Sequence, residues 1–146
     1  MPPDPQPSRG GTRDPVGVVL AGGLGLRIGG TKAMVELAHR PLISYPLDAM
    51  YRALGEVAIV AKIDTELPDA AGASVWVERD EPHHPLVGIL FALELAAGRP
   101  VLVCAGDMPF VSPALIRRLA DADPGEGDAV LASSEGASQP LLAPAR

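Results

Sequence analysis

The 146-residue sequence predicts an α/β fold built on a mostly parallel sheet, and three features carry that reading. Short apolar runs at 16–20, 57–61, 74–77 and 100–104 alternate with stretches of helical periodicity. The connections between these runs are too long for hairpins, which calls for right-handed crossovers with helices on the sheet faces. The first run also ends abruptly in a glycine-rich loop, at the carboxyl end of a strand, where ligands of such sheets bind.

The elements follow in order. Residues 1–15 are proline-rich and polar, too stiff for a helix or a central strand, and are expected to form a disordered tail. Residues 16–146 then make one domain, because a chain of this length builds a single core. Val16-Gly17-Val18-Val19-Leu20 suits a strand buried on both faces. In 41–54, Leu42, Ile43, Leu47, Met50 and Leu54 fall at helical spacing. Pro46 removes an internal hydrogen bond, so this helix is expected to kink or start late, with Gly55 as its C-terminal cap. Strands at 57–61 and 74–77 come next, the second carrying Trp76 into the core. Residues 87–97 are apolar around most of a helical circumference, which predicts a largely buried helix. The strand at 100–104 leads to Ser112-Pro113, an N-cap and first-turn proline for a helix ending near Ala122, and 129–132 suggest a further strand.

Composition narrows the function. The apolar stretch 86–97 is broken by Gly88 and Glu94, so no segment is expected to span a membrane. A net charge of −6 and the lack of any Lys/Arg cluster argue against nucleic acid as a partner. A single cysteine, Cys104, excludes an internal disulfide, and 1–15 lack the apolar core of a secretion signal. A soluble, cytoplasmic protein is the expectation.

The segment 20–32 places Gly22, Gly23, Gly25, Gly29 and Gly30, with Arg27 and Lys32, directly after the first strand. Glycines let backbone N–H groups turn toward an anion without a Cβ in the way, and such nests bind phosphate, here with two full positive charges beside them. A P-loop does not fit, because Thr31 and Lys32 stand in the wrong order for the hydroxyl to reach magnesium. A dinucleotide fingerprint does not fit either, since Ile28 takes the position of its third glycine. In the second segment, Cys104-Ala105-Gly106-Asp107-Met108-Pro109, a carboxylate follows a buried strand and offers a hard oxygen ligand for magnesium in the crevice. Asp80 likewise follows a strand and is a candidate for contact with a ribose, a base edge or a metal-bound water. Its neighbours Glu78, Arg79 and Glu81 read as charges that decorate an exposed loop, and His83 and His84 as loop residues rather than zinc ligands.

Taken together, these motifs resemble the molybdenum cofactor guanylyltransferases, within the nucleotidyltransferases that begin with an L-A-G-G-type loop. Leu20-Ala21-Gly22-Gly23, Arg27-Ile28-Gly29-Gly30 and Lys32 are similar to the family's N-terminal signature. Pro41-Leu42-Ile43, Pro85-Leu86-Val87-Gly88-Ile89, Asp107-Met108-Pro109 and Gln139-Pro140-Leu141 resemble later segments in the same order, over about residues 16–143. The resemblance implies a Rossmann-like three-layer sandwich of the nucleotide-diphospho-sugar transferase type. It also implies a reaction in which molybdopterin phosphate attacks the α-phosphorus of GTP and pyrophosphate leaves. By the same resemblance Leu20, Ala21, Gly22 and Gly23 contact the guanine nucleotide and Asp80 contacts it too. Lys32 and Arg27 neutralise the triphosphate, and Asp107 binds Mg2+ and the nucleotide. GTP, the molybdopterin acceptor and molybdoenzyme-maturation proteins are the partners so implied.

The chain departs from the family pattern at several points. Thr31 replaces an aspartate, Lys62 a nucleotide-contacting asparagine, and His84 a glycine, and Arg146 precedes the usual C-terminal segment. Three other readings stay open at this point: a cytidylyltransferase for the same cofactor, a sugar- or alditol-phosphate nucleotidyltransferase, and a non-catalytic nucleotide-binding module.

Overall fold

A computed structural model describes residues 14–21, 24–25, 30–31, 34–69, 72–79, 82, 84–123, 125–130, 132–134, 137–139 and 142–145. Strand β1 (Val16–Leu20) is followed by two short antiparallel pairs, β2 (Leu24–Gly25) with β3 (Gly30–Thr31) and β4 (Glu36–Leu37) with β5 (Arg40–Pro41). Then come α1 (Ser44–Ala53), β6 (Val57–Ala61), β7 (Ser74–Val77), α2 (Pro85–Ala96), β8 (Val101–Ala105) and α3 (Pro113–Ala120). β9 (Ala132–Ser134), β10 (Ala137–Gln139) and β11 (Leu142–Ala145) complete the order. The main sheet runs β11-β8-β1-β6-β7; β8, β1, β6 and β7 are parallel, and β11 joins β8 antiparallel.

Alternating side chains split the core into two layers, as the period of a strand requires. Val19, Ile59, Leu102 and Cys104 face α1 and α3, where Ile43, Met50 and Ile116 are fully buried. Val16, Val18, Val60, Val101 and Val103 face the other way, against Ala92 and Ala96 of α2. Helices on both faces of a mostly parallel sheet make the expected three-layer α/β sandwich.

Several elements depart from the sequence expectation for physical reasons. α1 does start late, so Pro46 falls in its first turn, where a backbone N–H has no intrahelical partner to lose. Gly55 is not its cap. The chain leaves the helix through an extended Leu54, whose N–H donates to the Met50 carbonyl at 2.8 Å, and runs on toward β6. α2 begins at Pro85 and is not largely buried. Among the described residues it is the one helix packed on its face of the sheet, so the stripe Gly88, Ala92 and Ala96 is covered while Leu86, Leu90 and Leu95 stand about half exposed. Trp76 is only half-buried, because β7 is an edge strand. α3 stops at Ala120, two residues before the expected end, and the strand expected at 129–132 lies at Ala132–Ser134. The expected tail falls on residues outside the described set except for Asp14 and Pro15. Asp14 is held at its carbonyl by Arg99 and at its carboxylate by Arg117.

Candidate active site

The chain steps from β1 to β6 and β7 in one direction, then crosses back to place β8 on the opposite side of β1. The carboxyl ends of β1 and β8 therefore flank the topological switch point, where the crossovers part and leave a crevice. Backbone contacts hold the two ends together. Leu20 lies in register with Ala105, the Gly106 N–H donates to the Leu20 carbonyl at 3.0 Å, and the Ala21 N–H donates to the Val60 carbonyl at 2.8 Å. A Cβ at position 106 would stand 3.1 Å from the Leu20 carbonyl oxygen and 3.4 Å from Ile43 Cγ1. Glycine at this place lets β8 close on β1 and delivers the next residue, Asp107, to the crevice with its side chain exposed.

Asp107 is felt by its neighbour. Burial, and then the Asp107 charge, push the Cys104 thiol up to about 12. Its Sγ–H points at the Ala105 carbonyl oxygen, 3.4 Å away, so Cys104 stays protonated and serves as packing rather than as a nucleophile. Beyond Asp107, the Ser112 hydroxyl accepts from the Leu115 N–H at 3.1 Å and fixes the start of α3. Asp107 offers one hard oxygen at the mouth of the crevice. That fits a divalent ion such as magnesium, which takes one or two carboxylates and fills its other positions with water and substrate phosphates.

A second feature lies at the ends of β6 and β7, and the sequence reading missed it. Lys62 follows β6 and Glu78 follows β7; the register Ala61↔Val77 makes them neighbours, and both are more than nine-tenths buried. Lys62 Nζ sits 3.6 Å from Glu78 Oε1 and donates to the Arg79 carbonyl. The backbone on both sides is pinned, by the Lys62 N–H donating to Thr65 Oγ1 at 3.1 Å and by the Glu78 N–H donating to the Ala61 carbonyl at 2.9 Å. Glu78 Oε2 is buried with no hydrogen-bond partner among the described residues. Glu78 is thus not the solvated loop charge that its neighbours suggest. The signal was a lysine and a glutamate each one step past a strand, which parallel pairing brings together.

Of the residues singled out in the sequence, Leu20, Ala21 and Asp107 are brought to the switch point. Gly22, Gly23, Arg27, Lys32, Asp80 and His83 lie outside the described residues. His84 is the N-cap of α2, its Nδ1 accepting from the Leu86 N–H at 3.1 Å, with Pro85 in the first turn. No helix among the described residues is long and apolar enough to cross a membrane.

The sequence and the fold are similar to those of known proteins. The family model of the MobA-like NTP transferase domain matches residues 17–146. A molybdenum cofactor guanylyltransferase of Cereibacter sphaeroides is 41% identical over 129 residues, covering 85% of this chain and 65% of that protein. A probable molybdenum cofactor guanylyltransferase of Bacillus cereus is 33% identical over 131 residues, covering 87% and 66%. The chain thus spans just under two thirds of the length of these relatives. Among solved structures, molybdopterin-guanine dinucleotide biosynthesis protein A from Archaeoglobus fulgidus superposes with a TM-score of 0.70 at 26% identity, covering 89% of this chain and 66% of that one.

Proposed function

Since the chain belongs to the MobA-like NTP transferase family, we propose that it transfers GMP from GTP to the molybdenum–molybdopterin cofactor, releasing pyrophosphate and forming molybdopterin guanine dinucleotide. The observation that carries this reading is the 41% identity to a molybdenum cofactor guanylyltransferase, joined to a switch point that presents Leu20, Ala21 and Asp107 together. On this reading residues 16–146 are the transferase domain, and it works in the cytoplasm without nucleic acid or membrane as a partner.

The chemistry asks little of a general base. A phosphate monoester has a second pKa near 6, so the acceptor phosphate is already mostly ionised at neutral pH. One of its oxygens bonds to the α-phosphorus of GTP, the bond from that phosphorus to the bridging oxygen breaks, and the electron pair leaves on pyrophosphate. Catalysis is then positioning and charge neutralisation. The backbone of Leu20, Ala21, Gly22 and Gly23 cradles the nucleotide, and Asp80 contacts it. Arg27 and Lys32 offset charge on the triphosphate as the bond breaks. Asp107 holds Mg2+ in the crevice. When bound, that ion supplies Lewis-acid stabilisation of phosphoryl oxygens.

The test is a discontinuous assay with Mg2+, the molybdenum–molybdopterin acceptor and GTP, CTP or ATP, following pyrophosphate and dinucleotide by chromatography. Product from GTP supports the proposal. Product from CTP alone moves the protein to the cytidylyl branch, and tight nucleotide binding with no pyrophosphate marks a binding module.

A further inference from the structure

The buried pair Lys62–Glu78 has no part in the reaction just described, yet it reaches the backbone of the β7–α2 connection. Pairing of β6 with β7 runs to the Glu78 N–H, which donates to the Ala61 carbonyl at 2.9 Å. One residue further on a side chain takes over: Lys62 Nζ donates to the Arg79 carbonyl, while Glu78 Oε1, 3.6 Å away, balances its charge. The Arg79 side chain is exposed, so it is the backbone of this residue, and not its guanidinium, that is held. At 7% exposure Lys62 is turned to these two partners rather than to solvent. The far end of the connection is fixed separately, by the His84 N–H donating to the Pro82 carbonyl at 3.1 Å and by the His84 side chain capping α2.

What the held carbonyl controls follows from the covalent chain. It belongs to the peptide unit that joins Arg79 to Asp80, and such a unit is planar, so its oxygen, the Asp80 nitrogen and the Asp80 Cα lie in one rigid plane. A hydrogen bond donated by a cation is of the strong kind, and this one is made away from water. Resting on the guanylyltransferase reading above, in which Asp80 contacts the nucleotide, we infer that Lys62 is a positioning residue for nucleotide binding. It touches no substrate; it fixes the peptide plane from which Asp80 departs, with Glu78 as the counter-ion that lets a lysine stand there. Without Lys62 that plane turns more freely about the bonds on either side of it, and ordering it falls on the nucleotide, at a cost to affinity. A buried charged pair is a costly way to close a strand end, since apolar residues of similar volume often pack there with equal or greater stability. What they lack is the donor to Arg79.

Calorimetric titration of GTP with Mg2+ into the whole chain tests the assignment, using a variant that keeps the fold but not the donor. Lys62→Met/Glu78→Leu removes both charges together and is expected to unfold in urea close to wild type, yet to bind GTP about three- to tenfold more weakly. A merely structural pair would regain binding along with stability. Asp80→Ala is expected to weaken GTP binding by about tenfold or more, the loss of a hydrogen bond to a charged group. Adding Lys62→Met/Glu78→Leu to Asp80→Ala is expected to change the affinity by less than about twofold, because the residue being positioned is already gone. Lys62→Leu/Glu78→Met is a second apolar pair should the first fail to fold. Wild-type affinity in the stable double variant overturns the inference. So does a loss of the same size with and without Asp80, or an Asp80→Ala that binds like wild type. In each of these cases wild type still binds GTP and the guanylyltransferase reading stands. A wild type that binds no GTP fails that reading itself, and the inference with it.

Discussion

The two halves of the sheet's carboxyl edge are built on opposite plans. At β1 and β8 the backbone does the holding, through Gly106 N–H to the Leu20 carbonyl, and the charged side chain there, Asp107, is left exposed. At β6 and β7 the side chains are the structure: Lys62 and Glu78 are buried against each other, and one carboxylate oxygen is left without a donor among the described residues. The difference is one of solvation. On the guanylyltransferase reading the exposed end takes charged phosphates and their metal, and a carboxylate in contact with solvent binds them at a smaller desolvation cost than a buried one. The buried pair has already lost its hydration, so each hydrogen bond that remains to it weighs more.

That contrast can be broken in order of expected effect. Glu78→Leu leaves the Lys62 ammonium buried and unpaired, and is expected to lower stability by about 3–5 kcal/mol in urea unfolding, while the double change Lys62→Met/Glu78→Leu recovers most of the loss. A single variant as stable as wild type would mean that the pair is not buried in solution. Asp107→Asn, an isosteric change at an exposed position, is expected to reduce turnover by about 10²- to 10³-fold while the chain stays folded. A large drop in melting temperature would instead make Asp107 part of the scaffold. Gly106→Ala puts a Cβ 3.1 Å from the Leu20 carbonyl oxygen, and is expected to cost about 1–3 kcal/mol and to weaken nucleotide binding by parting β8 from β1.

The smallest effect is one of pH. In the unfolded chain Cys104 ionises near 9.0, but in the fold its pKa is pushed up to about 12, so the thiol stays neutral. Below 9.0 both states hold the proton. Between 9.0 and about 12 only the folded state does, so stability falls as pH rises through that window. Urea unfolding of wild type beside Cys104→Ala on either side of 9.0 should show the wild type losing its advantage on the alkaline side. A difference that does not change with pH would place the thiol in contact with water.

The sequence carried the elements whose apolar pattern is complete in itself. Strands β1, β6 and β7 each lie where the hydrophobic run lies, and the first two are buried on both faces as their unbroken runs require. Ser112-Pro113 announced α3 because an N-cap is a local signal. What depended on neighbours was hidden. The apolar circumference of α2 cannot say that only Gly88, Ala92 and Ala96 find a surface to cover. The segments that became β9, β10 and β11 are rich in Ala, Ser, Gln and Pro and carry no strong alternation, so their pairing, including the antiparallel edge on β8, appears only with the partner in place. The site divides in the same way. Leu20, the last residue of its strand, and Ala21 and Asp107, just past theirs, were readable as positions that a switch point must bring together. Lys62 and Glu78 were not, since a charge after a strand looks solvated until the register Ala61↔Val77 sets the two side by side. Gly22, Gly23, Arg27, Lys32 and Asp80 stay expectations of the sequence, outside the described residues.

The central claim is that the β1–β8 switch point is a metal-assisted nucleotide site, and calorimetric titration of GTP into the chain with and without Mg2+, beside Asp107→Asn, meets it most directly. The account predicts GTP binding that strengthens with Mg2+ in wild type and loses that Mg2+ dependence in Asp107→Asn. Binding that is indifferent to both the ion and the carboxylate would contradict it.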